Sequence, residues 1–241
     1  MSKRKVFALL GALCLMTGAN GMTAFAEETY VSRIVSFTDC TGMRVTYDAN
    51  ASRQYVYEVK DGVLTGVKVK KTGEEGDAIL EANKFEGVVE LKQPEEGEKY
   101  TSIAADLFQG NQDITYVKLP VGVTTITAES FCGCTALKSV YLPSTVKTIE
   151  KEAFRDCTAM TEIALPKSVI SIGDSAFKGD TKLQLVYFRS GGSDEVHAIR
   201  ENAFPGTEEA EELVIKGEKG SIAEIYARRN EIPFEESGPE E

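Results

Sequence analysis

The feature that most constrains the fold is a repeat in the middle of the chain, where the segment at 123–145 is followed directly by a second copy at 146–168. The two copies are identical at ten of the 23 aligned positions, and most other positions hold similar side chains. Self-similarity at a fixed period of roughly 20–50 residues is typical of solenoids, in which each unit buries its apolar side against its neighbours. The sequence therefore predicts a stacked repeat architecture.

The same period extends beyond these two units, and it is marked by regularly spaced isoleucines and phenylalanines. After the fourth unit the spacing lengthens, because extra residues lie in Gly191-Gly192-Ser193-Asp194, a composition typical of a loop. The markers are Ile103, Ile126, Ile149, Ile172 and Ile199, with Phe108, Phe131, Phe154, Phe177 and Phe204.

Each unit is predicted to contain the same parts. A short alternating run such as Ser139-Val140-Tyr141-Leu142 predicts a strand, and the proline that follows ends the ladder because it has no N–H to donate. A Val-x-x-Ile pair then returns the chain along the opposite face, and the Ala-Phe segment is predicted to form about a turn and a half of helix. The period predicts parallel strands ~4.8 Å apart, one for each repeat.

Residues 1–26 have the pattern of a secretion signal. A basic start, Ser2-Lys3-Arg4-Lys5, precedes a mostly apolar run at 6–16, and Ala24-Phe25-Ala26 offers a cleavage site with small residues. The apolar run is too short to span a bilayer. Cys14 is a poor lipidation site because the larger Leu13 precedes it. We expect cleavage after Ala26 and an exported chain that begins at Glu27.

The charge of the exported chain excludes some classes of partner. Loss of Lys3, Arg4 and Lys5 changes the formal charge from −11 to −14. A negative field repels nucleic acid and anionic lipid, so we expect neither as a partner. No later segment is apolar enough to predict membrane insertion.

Residues 27–98 do not follow the repeat and predict a β-rich N-terminal cap. Runs of β-branched and aromatic residues at 30–37, 43–47, 55–60 and 63–70 indicate strands. Asp61-Gly62 suits a tight hairpin between the last two runs. Leu80 and Phe85 lie one period before Ile103 and Phe108, either as a decayed repeat or by coincidence.

The repeats themselves occupy residues 99–214, and residues 215–241 predict a C-terminal cap with an acidic tail. In this last segment Ser221 and Glu224 form a capping-box pattern ahead of an apolar helical stripe.

These motifs resemble a known repeat family. Residues 149–166, with Ala-Phe, Cys-Thr and Leu-Pro at fixed offsets, are similar to the BspA-like leucine-rich repeat, and the closing Ile232-Pro233-Phe234 resembles the segment that often follows it. The fourth unit departs from the pattern, with Asp180 in place of cysteine and Arg189 in place of proline. The resemblance implies a bacterial surface or secreted protein that acts in adhesion or recognition, and it implies no catalytic residues.

The cysteines of the exported chain are predicted to be either free thiols or disulfide-bonded. Four remain, an even number that permits three complete disulfide pairings. Cys134 and Cys157 occupy the same repeat position, where the family has a small inward residue, so they are either buried thiols or a bridge between adjacent coils. Cys132 is predicted to be exposed and to be the most reactive thiol. The fourth cysteine is Cys40.

The sequence offers little evidence for a catalytic or metal-binding site. His197 is the only histidine, so a histidine-rich zinc site is excluded and any Ser-His-Asp arrangement would have to use this residue, which we expect to be solvated. The acidic run at 208–212 lacks the regular spacing and turn glycine of a calcium loop. We predict no cofactor, metal or catalytic residue.

The outward side of the predicted strands is the candidate binding surface. If Val140 and Leu142 point inward, Tyr141 points outward, and the repeat places Lys118, Ala164, Tyr187 and Val214 in its row. A second row holds Tyr116, Ser139, Glu162, Leu185 and Glu212. Tyrosines on a rigid sheet suit recognition, although the same rings could only support neighbouring strands. The predicted partner-binding residues are Tyr116, Lys118, Tyr141, Glu162, Leu185 and Tyr187.

The sequence thus predicts an α/β leucine-rich-repeat solenoid with short helices, a β-rich N-terminal cap and a helical C-terminal cap. Its predicted role is non-catalytic binding of a protein or glycan at a cell surface or in the extracellular matrix. Two alternatives stay open: a structural, envelope-associated repeat protein, or an enzyme whose site lies in residues 27–98. The absence of histidine and of a nucleophile motif in that segment disfavours the enzyme.

Overall fold

The structure is a computed structural model that describes strands 34–38, 44–48 and 78–80 and residues 53–71, 85–95, 97–189 and 198–237. Residues 1–26, which the sequence predicts to be a secretion signal, lie outside the described residues, as do Cys40 and His197. The described chain begins with β1 (Ile34–Thr38) and β2 (Arg44–Asp48), an antiparallel pair. It continues with β3 (Arg53–Lys60), β4 (Val63–Lys71) and β5 (Ala78–Leu80), which are also joined antiparallel.

One strand from each repeat enters a parallel ladder, which we call the first ladder. Its strands form two neighbouring sheets, β6-β8-β10 and β12-β14-β16-β17, and the N–H of Thr161 donates to the carbonyl of Lys138 beside their junction. The predicted strands that end before Pro120, Pro143 and Pro166 are confirmed. The bounds are β6 (Gly87–Glu90), β8 (Ile114–Lys118), β10 (Ser139–Tyr141), β12 (Glu162–Leu165), β14 (Leu185–Phe188), β16 (Val214–Gly217) and β17 (Phe234–Glu236).

The Val-x-x-Ile pairs form a second parallel ladder. Its two-residue strands stack in register from one repeat to the next, and the ladder continues through β4 into β3. The turn that joins β3 to β4 has both Asp61 and Gly62 at positive φ, 53° and 74°, as a tight hairpin requires. The bounds are β7 (Ser102–Ile103), β9 (Thr125–Ile126), β11 (Thr148–Ile149), β13 (Ser171–Ile172) and β15 (Ala198–Ile199).

A stack of phenylalanine rings fills the space between the ladders. Phe131 and Phe154 lie with ring centroids 5.2 Å apart and planes within 9°, and the stack continues to Phe177 and Phe204 with centroid separations of 5.1 and 5.0 Å. At the other end Phe85 packs on Phe108 at 4.7 Å, so the position of Phe85 one period earlier reflects a repeat. Burial of one such ring stabilises the fold by ~1.5–3 kcal/mol.

The Ala-Phe segments are turns, so the predicted turn and a half of helix is wrong. Glu129 and Glu152, each placed shortly before the phenylalanine of its unit, have φ of 61° and 55°, which a right-handed helix does not allow. The N–H of Phe131 donates to the carbonyl of Ala153 in the next coil at 2.8 Å. Hydrogen bonds along the solenoid therefore replace the bonds within a helix. The one helix in the described part of the chain is α1 (Ile222–Arg229).

A second left-handed position recurs after the phenylalanines of the first four repeat units. Gly110, Gly133 and Gly179 occupy it with φ of 72°, 73° and 84°, and Asp156 takes the same conformation at 60°. The N–H of Gly133 donates to the carbonyl of Arg155 at 2.8 Å. Glycine is favoured there because it adopts positive φ without a steric cost.

Helix α1 covers the C-terminal end of the phenylalanine stack. Tyr226 packs edge-on against Phe204 at 5.6 Å, and its hydroxyl donates to the carbonyl of Glu201 at 3.0 Å. Ser221 accepts a hydrogen bond from the N–H of Glu224 at the start of the helix, as the capping pattern predicts. Among the residues that the structure describes, no helix is both long and apolar enough to span a membrane.

Candidate binding surface

The outward side of the first ladder, from β6 to β17, is the candidate binding surface, and we call it the tyrosine face. Alternation along each strand sets its composition. Val117, Val140 and Ile163 point inward and are at most 2% exposed, so the residues on either side of them in the strands point outward. The same alternation gives outward positions at Leu185 and Tyr187, on either side of the buried Val186.

The strands lie in the register that the repeat predicts for the first four units. Tyr116 pairs with Ser139, and Lys118 pairs with Tyr141. Glu162 pairs with Leu185, and Ala164 pairs with Tyr187, in the next sheet. The structure therefore brings all six predicted residues onto one face: Tyr116, Lys118, Tyr141, Glu162, Leu185 and Tyr187.

The register predicted for the fifth unit is wrong by two positions. Leu185 pairs with Val214 rather than with Glu212, and Tyr187 pairs with Lys216 rather than with Val214. The spacing between the fourth and fifth units is longer than one period, and the fifth unit is degenerate in sequence, so the repeat alone misaligns this strand. Because a shift of two preserves the alternation, the correct side chains still point outward.

The tyrosine face is less exposed than the sequence prediction assumed. Tyr116, Tyr141 and Tyr187 are half-buried, as are Lys118 and Leu185. Glu162 is only 9% exposed and lies in β12, the first strand of the second of the two sheets. Neighbouring strands ~4.8 Å apart cover part of each outward side chain. The face is therefore a tightly spaced row of side chains.

The lysines on this face each have a partner within the chain. Lys118 Nζ lies 2.8 Å from Oε1 of Glu90, which pairs with it across β6 and β8. Lys216 Nζ lies 5.9 Å from the ring centroid of Tyr187, within the range of a cation–π contact. Glu235 is the register partner of Lys216 on the other side.

Glu90 and Lys216 were missed by sequence reasoning because neither lies one period away from its partner. Glu90 precedes Lys118, and Tyr187 precedes Lys216, by more than a full repeat unit. The sequence does hold a short pattern that pairs Glu90 with Lys118. Val89-Glu90-Leu91 has the same alternation as Val117-Lys118-Leu119, so an alignment of single strands, instead of whole repeat units, would have placed Glu90 opposite Lys118.

The three described cysteines are free thiols. Cys134 and Cys157 are fully buried, and their Sγ atoms donate to the carbonyls of Phe108 and Phe131 at 3.0 and 3.2 Å. Burial raises the pKa of Cys134 to about 12 and also raises the pKa of Cys157, so both are poor nucleophiles. The structure thus shows buried thiols rather than the bridge that the sequence left open.

Cys132 is half-buried rather than exposed as predicted. Partial burial and the nearby carboxylate of Asp156 raise the pKa of its thiol, against the opposite effect of the Arg155 guanidinium. A raised pKa lowers the thiolate fraction at neutral pH. Cys132 is nevertheless the least buried of the three described thiols, and the expectation that it is the most reactive of them stays a prediction.

Asp180 replaces the ladder cysteine in the fourth unit and is fully buried. Its Oδ1 accepts a hydrogen bond from the N–H of Cys157 at 2.7 Å, while Oδ2 has no hydrogen-bond partner. Burial raises the pKa of this carboxyl well above its usual range, and the nearby Asp156 adds to the shift. Across the described residues, no group of three or more metal-ligating side chains lies together.

Comparison with known proteins identifies the repeat. Residues 79–227 match the model of the BspA type leucine rich repeat region, in six copies. The chain belongs to this family. No curated protein sequence matches the chain.

Three solved structures illustrate the breadth of the similarity. A leucine rich repeat protein of T. pallidum is 21% identical, with a TM-score of 0.47, and the match covers 69% of each chain. A leucine rich cell surface protein from Faecalibacterium prausnitzii A2-165 is 20% identical, with a TM-score of 0.35, over 76% of this chain and 45% of that one. The pneumococcal vaccine antigen PcpA is 19% identical, with a TM-score of 0.38, over 78% of this chain and 41% of that one. The chain thus spans less than half the length of the last two proteins.

Proposed function

We propose that this protein is an exported, non-catalytic binding protein that recognises a protein or glycan partner at a cell surface or in the extracellular matrix through its tyrosine face. The match to the BspA type leucine rich repeat over residues 79–227 supports a non-catalytic surface repeat protein. The signal pattern of residues 1–26 supports export.

The observation that carries the proposal is the common register of the outward side chains. Three tyrosines, one leucine, one lysine and one carboxylate from four strands lie on one side of the first ladder. Tyrosine presents a large rigid area with few rotatable bonds, so it loses little entropy when it binds. Packing of the solenoid interior does not require polar aromatic residues on the outer side of the ladder, whereas a binding surface uses them.

The proposal can be tested by probing the exported chain against a panel of matrix proteins and glycans. Tyr141→Ala and Tyr187→Ala are expected to weaken binding to any partner found by ~1–3 kcal/mol each. Lys147→Ala is the control, because Lys147 is exposed beside the second ladder, away from the tyrosine face. Unchanged binding by both tyrosine variants would contradict the proposal. Specific hydrolysis of a panel member by the parent chain would favour the enzyme reading instead.

A further inference from the structure

We propose, resting on the function above, that the tyrosine face binds a basic segment of a protein partner and holds one arginine or lysine side chain between Tyr141 and Tyr187. The site lies over Ala164 and beside the carboxylate of Glu162. The register of these four residues brings them together on the face, and their chemistry and the charge of the chain favour a cation.

The register sets the spacing of the two tyrosines on the face. Ala164 pairs directly with Tyr187, and the hydrogen bond from the Thr161 N–H to the Lys138 carbonyl holds the strand of Tyr141 on the other side. Tyr141 and Tyr187 are thus two strand spacings apart, or about 10 Å at the backbone. The short methyl group of Ala164 leaves room between them. A planar group with a ring on each side needs two contacts of ~3.5–4.0 Å, which this gap can provide.

A carboxylate stands at the side of the gap. Glu162 lies two positions before Ala164 on β12 and therefore on the same face. It is 9% exposed, so little water screens its field, and its attraction for a nearby cation is stronger than at the surface. Two aromatic rings and a carboxylate form the type of environment that binds guanidinium and ammonium groups.

The lysines of the face support the choice of a cation. Lys216 places its ammonium 5.9 Å from the centroid of the Tyr187 ring, so this ring already accepts a positive charge from one side. Lys118 is paired with Glu90 at 2.8 Å, which reduces its repulsion of a cationic ligand. The exported chain, with its formal charge of −14 after loss of Lys3, Arg4 and Lys5, attracts basic partners over a longer range.

The test uses a labelled peptide with three arginines separated by glycines, titrated into the exported chain at low salt. A second peptide carries citrulline at the same positions and has the same shape without the charge. We expect the arginine peptide to bind at least about tenfold more tightly. Glu162→Gln and Tyr187→Ala are each expected to weaken its binding by about 3–30-fold. Tyr187→Phe keeps the aromatic ring and is expected to change binding by less than about twofold.

Two further variants distinguish binding at this site from attraction of the peptide by the net negative charge of the chain. Glu208→Gln removes one negative charge from an exposed position outside the face, so it is expected to leave binding nearly unchanged. Lys216→Met keeps the aliphatic part of the side chain and removes the ammonium that competes for the Tyr187 ring, so it is expected to tighten binding. Equal losses for Glu208→Gln and Glu162→Gln would overturn the proposal, because they would indicate attraction by net charge alone.

The remaining outcomes distinguish this inference from the function on which it rests. If the arginine peptide does not bind, but a matrix protein or oligosaccharide does so in a manner sensitive to Tyr141→Ala, the basic-segment proposal is wrong and the binding function stands. Tyrosine-dependent binding of a neutral chitin or cellulose oligosaccharide would assign the face to glycans. If neither the arginine peptide nor any panel member depends on Tyr141 or Tyr187, both proposals fail.

Discussion

The interior of the solenoid and its tyrosine face are built from the same strands, yet only the interior follows the repeat period closely. Inside, Phe108, Phe131 and Phe154 repeat without change, and their ring centroids lie 5.0 and 5.2 Å apart. Outside, the row that holds Tyr141 contains a lysine, a tyrosine, an alanine and another tyrosine in successive strands. Packing fixes the inner residues because each must fit the same space, whereas the outer residues are free to serve a partner.

The comparison explains which parts of the molecule could be predicted from the sequence. Inward residues were placed correctly because the spacing of Phe154 and Ile149 encodes their stacking. The turns were not predicted, because a glutamate such as Glu129 carries no sequence signal for positive φ. Hydrogen bonds to the next coil select that conformation. The partners Glu90 and Lys216 were missed because they lie in irregular units at the two ends of the ladder.

The exposed fraction of each side chain on the tyrosine face could not be predicted from the sequence either. Alternation gives the direction in which Glu162 points, but its exposed fraction of 9% depends on the side chains around it. The identity of the residues on the candidate surface was therefore predictable, while the degree to which water reaches them was not.

The largest expected effect is the removal of one ring from the phenylalanine stack. Phe154→Ala should lower the free energy of unfolding by ~3–5 kcal/mol, because the ring is fully buried and packs on rings in both adjacent coils. Chemical denaturation followed by circular dichroism measures the change, with Lys147→Ala as a surface control. A decrease in the free energy of unfolding of less than ~1 kcal/mol would contradict the inward stack of phenylalanine rings. It would also remove the difference between the interior and the tyrosine face.

The next effect concerns Asp180, which takes the buried position that Cys134 and Cys157 hold in the two preceding units. Burial raises the pKa of Asp180 in the fold, so the fold favours the protonated carboxyl, and the stability this provides is fully present below the ordinary pKa near 4. As pH rises from there towards the raised pKa, stability is lost at up to ~1.4 kcal/mol per pH unit. Asp180→Asn keeps the oxygen that accepts from Cys157 and does not titrate.

We therefore expect Asp180→Asn to melt at a higher temperature than the parent at pH 7–8, with the difference shrinking as the pH approaches 4. Thermal melts across this range measure it, and Asp113→Asn is the control for an exposed carboxylate away from Asp180. A difference that is independent of pH would show that Asp180 is ionised in the fold, and the interior would then tolerate a charge.

A smaller effect is expected at the left-handed turn position. Gly133→Ala should cost ~1–2 kcal/mol because alanine resists a φ of 73°. The added methyl group would meet Gly110 at an ordinary contact distance of 3.6 Å, so conformational strain alone is tested. Gly133→Asn should cost less, since asparagine tolerates this conformation, and equal costs for the two variants would contradict the argument.

The most direct test of the central claim compares the two regions in one measurement, the free energy of unfolding of the Tyr141→Ala, Tyr187→Ala double variant beside that of Phe154→Ala. Cross-strand packing of half-buried rings contributes only ~0.2–1 kcal/mol per pair. We predict that the free energy of unfolding of the double variant falls by less than half as much as that of Phe154→Ala. A loss equal to or larger than that of Phe154→Ala would contradict it, because the tyrosines would then belong to the packing that holds the solenoid together.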